Sequence, residues 1–202
     1  MSPRVLPLPK VSPIILVEHP HAFDDPEWLF EPKFDGLRGL LYIDHRLAAF
    51  YSKQHLELKR FSRLAGDVRE VLGVRSAILD GEVLAIDERG WHDFRALMSG
   101  QGHLHYAAFD LLWLDGEDLR GLPLMERRAR LKQLIPATTW LLSRTLTVPG
   151  KGGDLLAAVQ RLDLEGIVCK RAAEPYDPTT VWFTVRNKRY SQVDDRFERP
   201  KH

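Results

Sequence analysis

Lys33 stands between two acids in the run Glu31-Pro32-Lys33-Phe34-Asp35-Gly36-Leu37-Arg38, at the end of an apolar stretch and just before a glycine. A lysine attacks an electrophile only as the neutral amine, which requires burial, a neighbouring cation or a metal to lower its pKa. Taken alone, Lys-x-Asp-Gly fits a solvated ion-pair cluster better than a nucleophile. Two further runs change that balance. Asp80-Gly81-Glu82 and Leu164-Glu165-Gly166-Ile167-Val168-Cys169-Lys170-Arg171 each set acids beside apolar residues. Such acids are costly unless paired, hydrated or bound to a cation, so Glu82 and Glu165 are candidate ligands for a hard divalent metal. Each alone reads as a strand-end carboxylate; together the runs supply oxygen ligands for Mg²⁺ and cations for phosphate charge, the needs of phosphoryl chemistry.

Other suggestive features carry less. Val148-Pro149-Gly150-Lys151-Gly152-Gly153 is glycine-rich and basic, but lacks the Walker spacing and reads as a loop before a helix. His103 and His105 alternate on a strand with no carboxylate or cysteine at ligand spacing, which favours structural or surface histidines. Cys169, inside an apolar run, reads as a small buried residue.

The elements holding these residues follow from periodicity. Short apolar runs at 28–33, 37–43 and 47–52, split by Gly36 and Asp44-His45, predict antiparallel strands. Helical spacing over 56–72 predicts a helix stopped by Gly73, and 77–86 and 105–114 predict two further strands. Helices are expected at 124–134 and at 154–162, the latter capped by Asp154, with strands at 166–170 and 181–186. Residues 1–27, rich in proline, read as an extended lead-in over the surface. The irregular mixture of strands and helices favours α+β over a doubly wound sheet.

Composition sets the outer limits. The 202 residues, 44% hydrophobic, suffice for one domain with its own core. Twenty-nine Lys/Arg against 28 Asp/Glu give no global positive field, so any nucleic-acid contact has to be local. The run 186–202, with six Lys/Arg against three Asp/Glu, is the most basic surface stretch, and reads equally as a solvated tail or a phosphate contact. One cysteine excludes a disulfide framework, and Ile14-Ile15-Leu16-Val17 is too short for a signal or membrane segment. The expectation is a cytoplasmic monomer with no membrane association.

These runs occur in the order and approximate spacing of the covalent nucleotidyltransferase superfamily, and the sequence resembles ATP-dependent DNA ligases of the bacterial type. Residues 31–38 resemble motif I, Phe50-Tyr51-Ser52-Lys53 a weakened motif Ia, Asp80-Gly81-Glu82 motif III, and Phe109-Asp110 motif IIIa. Glu165 to Lys170 resemble motif IV and Val181 to Arg186 motif V; 106–120 followed by 123–128 resembles the bacterial ligases in particular.

The resemblance implies an ATP-grasp-like nucleotidyltransferase fold: antiparallel sheets flanked by helices, with the nucleotide pocket between them. It implies ATP as AMP donor, Mg²⁺ or Mn²⁺ as metal, and nicked double-stranded DNA as partner, which would make the protein nucleoid-associated. Lys33 would form lysyl-AMP, pass AMP to a nick 5′-phosphate, and the 3′-hydroxyl would seal the strand. Glu31 matches the position that recognises adenine, Glu82 one near the ribose or metal, Phe109 the aromatic on the purine face, and Glu165 the metal carboxylate. Arg38 and Lys170 match positions contacting nucleotide or nick phosphate, and Arg186 keeps a motif V charge. Arg38, Lys53, Arg171 and Lys188 are the candidates for DNA phosphate.

The departures are specific. Motif V usually carries two lysines where Thr184 and Arg186 stand, and guanidinium does not reproduce an ammonium point charge. Lys53-Gln54-His55 replaces a frequent Arg-Asn-Gly, and Asp177-Pro178-Thr179-Thr180 lacks an expected basic run. On this reading 28–192 is the adenylation domain and 193–202 a short basic tail, with no OB-fold domain, since ten residues fall far short of the ~100 a small domain needs. A separate DNA-binding protein is one way to supply the missing clamp. A weakened nick-binding module and an RNA ligase or capping-type enzyme remain open beside the DNA ligase reading.

Overall fold

The computed structural model describes residues 8–88 and 90–191. In chain order the strands and α-helices are β1 (Leu16–Glu18), β2 (Trp28–Lys33), β3 (Leu37–Ile43), β4 (Ala48–Tyr51), α1 (Ser62–Leu72), β5 (Ala77–Ile86), α2 (Phe94–Ser99), β6 (His103–Leu114), β7 (Glu117–Asp118), α3 (Leu124–Leu134), β8 (Leu142–Arg144), β9 (Val148–Pro149), α4 (Gly152–Arg161), β10 (Gly166–Arg171) and β11 (Trp182–Arg186). They form two sheets, ordered β1-β11-β10-β2-β9 and β4-β3-β5-β6-β7, with β8 added parallel to β6. This is the α+β architecture of mainly antiparallel sheets.

Side-chain alternation builds the core in three parts. Leu41, Leu79 and Leu111 on one face of the second sheet bury against α1 and α3 through Leu64, Val68 and Leu131. Leu40, Ile78 and Leu112, facing the other way, join Tyr176 and Trp182 from the first sheet's side, so the two sheets pack face to face. Behind the first sheet, Phe30, Ile167, Cys169 and Val185 bury against Leu155 and Val159 of α4. Pro32 is tolerated in β2 because β9 pairs only with Leu29 and Phe30, leaving one side of β2 without a ladder at that point.

Two glycines are steric necessities. A Cβ on Gly36 would lie 2.5 Å from Val83 O and 2.8 Å from Glu82 Cγ, so only glycine lets the β2–β3 turn cross β5 beside Glu82. A Cβ on Gly81 would lie 2.6 Å from the Tyr106 ring, where the β5–β6 register also shifts.

The structure departs from the periodicity in several places. The lead-in does more than cover a surface: Val11 and Ile14 are buried, and β1 adds in parallel to β11. The helix expected from residue 56 begins later, because the Ser52 hydroxyl accepts from the backbone N–H of Gln54 and Leu56 and His55 takes φ 59°, closing a turn first. A short 3₁₀ turn, Lys59–Phe61, then leads into α1, which stops at Gly73 with φ 62°. The last helix starts at Gly152 rather than behind an Asp154 cap; the Asp24 carboxylate, distant in sequence, accepts from Gly153 N at 2.9 Å. The expected loop at 148–153 contributes β9. The short elements α2 and β8 gave no periodic signal, although Asp93 caps α2 by accepting from Ala96 N. The tail 193–202 lies outside the described residues.

Candidate functional site

Alternation on β2 and β10 decides which side chains share a face. Glu31 lies opposite Val168, which lies opposite Thr184; Lys33 lies opposite Gly166, which lies opposite Arg186. Cross-strand partners point to one side of a sheet. β3, β5 and β6 bring Arg38, Glu82 and Phe109 to the same place from the second sheet. Glu31, Lys33, Phe34, Arg38, Glu82, Phe109, Val168, Lys170 and Trp182 are among the residues lining one cavity between the sheets. Its open space is about 60 Å³, narrow beside the ~300–1,000 Å³ common for ligand pockets.

At the mouth, Lys33 Nζ donates to Glu165 Oε2 at 2.5 Å, with about a fifth of the lysine side chain still exposed. Attack by Nζ requires its lone pair, which a neutral amine keeps while donating one N–H to a carboxylate. Glu82 is the second carboxylate of the mouth. Burial pushes it up to about 8; Lys33 and Arg38 oppose that, and Asp80 and Glu165 add to it. Among the described residues there is no cluster of three or more His, Cys, Asp or Glu able to cage a metal. Mg²⁺ characteristically takes one or two carboxylates and completes its shell with phosphate oxygens and water, so Glu82 and Glu165 fit a cation arriving with a nucleotide.

At the closed end the charges are already paired. Glu31 is buried, accepts from Lys170 Nζ at 2.5 Å and from the Thr147 hydroxyl at 3.2 Å, and forms an ion pair with Arg128, Nη1 to Oε1 2.9 Å. Lys170 Nζ also lies 4.3 Å and 4.1 Å from the ring centroids of Phe109 and Trp182. Burial holds the Lys170 ammonium below the ordinary lysine pKa, with Glu31 opposing and Arg128 reinforcing that shift. Beside this cluster, Arg127 and Asp110 form a fully buried two-bond pair, both bonds 2.9 Å.

Arg38 is held more tightly than a residue awaiting a phosphate. Its Nε and Nη2 donate to the two Asp80 oxygens at 3.0 and 2.6 Å, and Nη1 to Ile14 O at 2.6 Å. Tyr176 donates to the same Asp80 at 2.6 Å. Burial disfavours the Arg38 charge, but Asp80 overrides it and the guanidinium stays charged. Asp35 of the same run is buried and accepts from the Tyr190 hydroxyl at 3.0 Å.

The remaining expected site residues lie elsewhere. Arg186 stands in the row of Lys33, is exposed, pairs with Glu18 at 3.5 Å and is not among the cavity-lining residues. Glu18 ends β1, opposite Thr184 of β11. Thr184 is buried with its hydroxyl unpartnered among the described residues. Lys53 and Lys188 are exposed on turns, and Arg171 pairs with Glu27 and Glu174 while lying over Trp28. His105 bonds Trp140 O and Ser143 Oγ, a structural histidine.

Arg128, Thr147, Tyr176 and the Ile14 carbonyl were not legible as site residues. The double arginine on α3 carried the available signal, since Arg127 interrupts the buried stripe of Leu124 and Leu131.

Two curled sheets closing on a lysine-bearing cavity are the architecture of a nucleotidyltransferase domain, and solved ligases share it. A mycobacterial DNA ligase D complexed with ATP matches with a TM-score of 0.76 and 26% identity, over 88% of this chain and 60% of that one. The ligase domain of M. tuberculosis LigD matches at 0.75 and 27%, over 87% and 59%. The family model for the ATP dependent DNA ligase domain matches residues 16–185, and the chain belongs to that family. The multifunctional non-homologous end joining protein LigD of Pseudomonas aeruginosa is 36% identical over 157 residues, 74% of this chain. The SPbeta prophage-derived DNA ligase-like protein LigB of Bacillus subtilis is 29% identical over 196 residues, 91% of this chain and 70% of its own length. The chain spans about a fifth of the length of the LigD relatives, 19% and 20% for two of them.

Proposed function

We propose that this chain is the catalytic core of an ATP-dependent DNA ligase. The observation that carries the reading is the placement of Lys33 Nζ at the mouth of the cavity, against Glu165 and beside Glu82. Lys33 Nζ attacks the α-phosphate of ATP; a P–N bond forms, the amine loses its proton and pyrophosphate leaves. A nick 5′-phosphate oxygen then takes the AMP from Lys33, and the 3′-hydroxyl displaces AMP to close the strand. Each step is an in-line displacement in which positioning and charge stabilisation supply most of the rate.

The chain's residues divide this work. Phe109 and Val168 bound the purine slot, Glu31 meets the base, and Lys170 anchors Glu31. Glu82 and Glu165 would hold Mg²⁺ or Mn²⁺, which neutralises phosphate charge. For Glu165, this means exchanging Lys33 for the metal. Arg38 serves first to fix Asp80 and Ile14, and reaches phosphate only if it gives up part of that bonding. Lys53, Arg171 and Lys188 are exposed cations for DNA phosphates. No described helix is long and apolar enough to cross a membrane, and action as a monomer at nicked DNA, nucleoid-associated, with a separate DNA-binding protein as clamp, belongs to this proposal.

Incubated with ATP and Mg²⁺, the protein gains the mass of one AMP, and Lys33→Ala abolishes the gain. A wild-type protein that never gains this mass under intact mass spectrometry overturns the reading. Thr184 and the outward Arg186 favour one second reading, a nick-binding module with weak turnover. Nick affinity that ignores both ATP and Lys33→Ala would select it.

A further inference from the structure

Arg128 reaches the closed end of the cavity from α3, outside both sheets, with only 12% of its side chain exposed. Its two terminal nitrogens carry four of the guanidinium's five N–H donors, and each faces two acceptors. Nη1 meets Glu31 Oε1 and Phe109 O, both at 2.9 Å. Nη2 meets Thr145 O at 2.7 Å and the Thr147 hydroxyl oxygen. The Thr147 hydroxyl in turn donates a hydrogen bond to Glu31 Oε1 at 3.2 Å. One side chain thus ties the purine-slot strand β6, the 145–147 segment and the Glu31 strand β2 into a single arrangement.

We propose that Arg128 is a positioning residue that sets which purine the cavity accepts, by fixing the Glu31 carboxylate while keeping its own donors occupied. This rests on the reading of the cavity as a nucleotide site. An ionised carboxylate offers about four acceptor positions; Lys170 and Thr147 each take one on Glu31, and the Arg128 guanidinium holds Oε1 in an ion pair at 2.9 Å. An acceptor position is left for the base. A purine with a 6-amino group donates to it; a purine with a 6-oxo group presents a second acceptor and is repelled. Both terminal nitrogens of Arg128 are already bonded to backbone or hydroxyl oxygens. Lys170 Nζ is likewise occupied, between Glu31 and the Phe109 and Trp182 rings. Without Arg128, Glu31 gains free acceptor positions and freedom to turn, and the backbone of Phe109 and Thr145 loses its tie. The slot then binds both purines poorly and distinguishes them less.

The test uses the full chain as wild type, Arg128→Lys, Arg128→Met and Thr147→Val. Adduct formation is followed by intact mass across ATP and GTP concentrations, with equilibrium binding of both nucleotides and thermal melting in parallel. Lysine keeps the charge but cannot span four acceptors in one plane. Arg128→Lys and Arg128→Met are expected to raise the KM for ATP about tenfold or more and to narrow the ATP-over-GTP preference by a similar factor. The rate at saturating ATP stays within about threefold of wild type. Thr147→Val shifts both in the same direction by less, and decides the matter if Arg128→Met does not fold. An ATP-over-GTP preference unchanged in all folded variants, with only the melting temperature lowered, assigns Arg128 a purely structural role and overturns the proposal. If the wild type forms no adduct at Lys33, the ligase reading fails separately. ATP and GTP affinities then judge Arg128, and equal affinities for the two in the wild type overturn its role as well.

Discussion

Strands β2, β10 and β11 carry two faces that share a backbone and little else. Toward α4 they present Phe30, Ile167, Cys169 and Val185, a dry apolar layer. Toward the second sheet they present Glu31, Lys33, Lys170 and Thr184, buried or half-buried polar groups one residue out of phase with the first set. The apolar layer needs no partner beyond shape, whereas the charged layer is tolerable only because Glu31, Lys170 and Arg128 answer one another and Lys33 answers Glu165. A one-residue slip of register would exchange the two layers, so the same alternation that fixes the fold also fixes the chemistry.

Three changes test that contrast. Phe30→Ala, on the apolar face, opens a void and is expected to cost about 3–5 kcal/mol. In urea melts the loss appears as a lower midpoint with adduct formation by the folded fraction retained. Glu31→Gln, on the charged face, leaves Lys170 and Arg128 without a counter-charge, and is expected to cost about 3 kcal/mol together with ATP affinity. Lys170→Met should cost less, because Arg128 still answers Glu31, and a reversed order of these two in the same melts would break the account of the cluster. The smallest effect is one of pH. Burial depresses His105 below the ordinary histidine pKa, so its contribution is present above about pH 6.5 and is lost as pH falls through the folded value. Wild type should therefore lose more stability between neutral and mildly acidic pH than His105→Gln does; equal slopes would remove His105 from the pH response.

Much of this was readable from residue order. β2, β3, β5 and α3 occupy the positions that periodicity predicts, and Lys33, Glu82, Phe109 and Lys170, drawn from separate runs of the sequence, line one cavity. What was not readable depends on contacts between distant segments. β1 has three residues amid prolines and exists through its pairing with β11; α4 takes its first contact from Asp24; Arg38 spends its donors on Asp80 and Ile14. Arg128 finds its partners in Phe109, Thr145 and Thr147, each more than fifteen residues away. Local patterning records which face a residue takes, while the identity of its partner across the fold leaves no periodic trace.

The parallel pairing of β1 with β11 has a mechanical side. Leu16 lies beside Trp182 and Glu18 beside Thr184, with both strands running the same way. Tension drawing residue 8 and residue 191 apart pulls β1 backward and β11 forward along their common axis. The hydrogen bonds between them are then loaded in shear, all together, rather than opened one after another like a zip. Sliding of β1 past β11 is then one cooperative step, and its rate rather than the equilibrium stability sets how long the pair holds. Because Ile14 O is also gripped by Arg38, a residue of the cavity lining, the same load reaches the wall of the cavity.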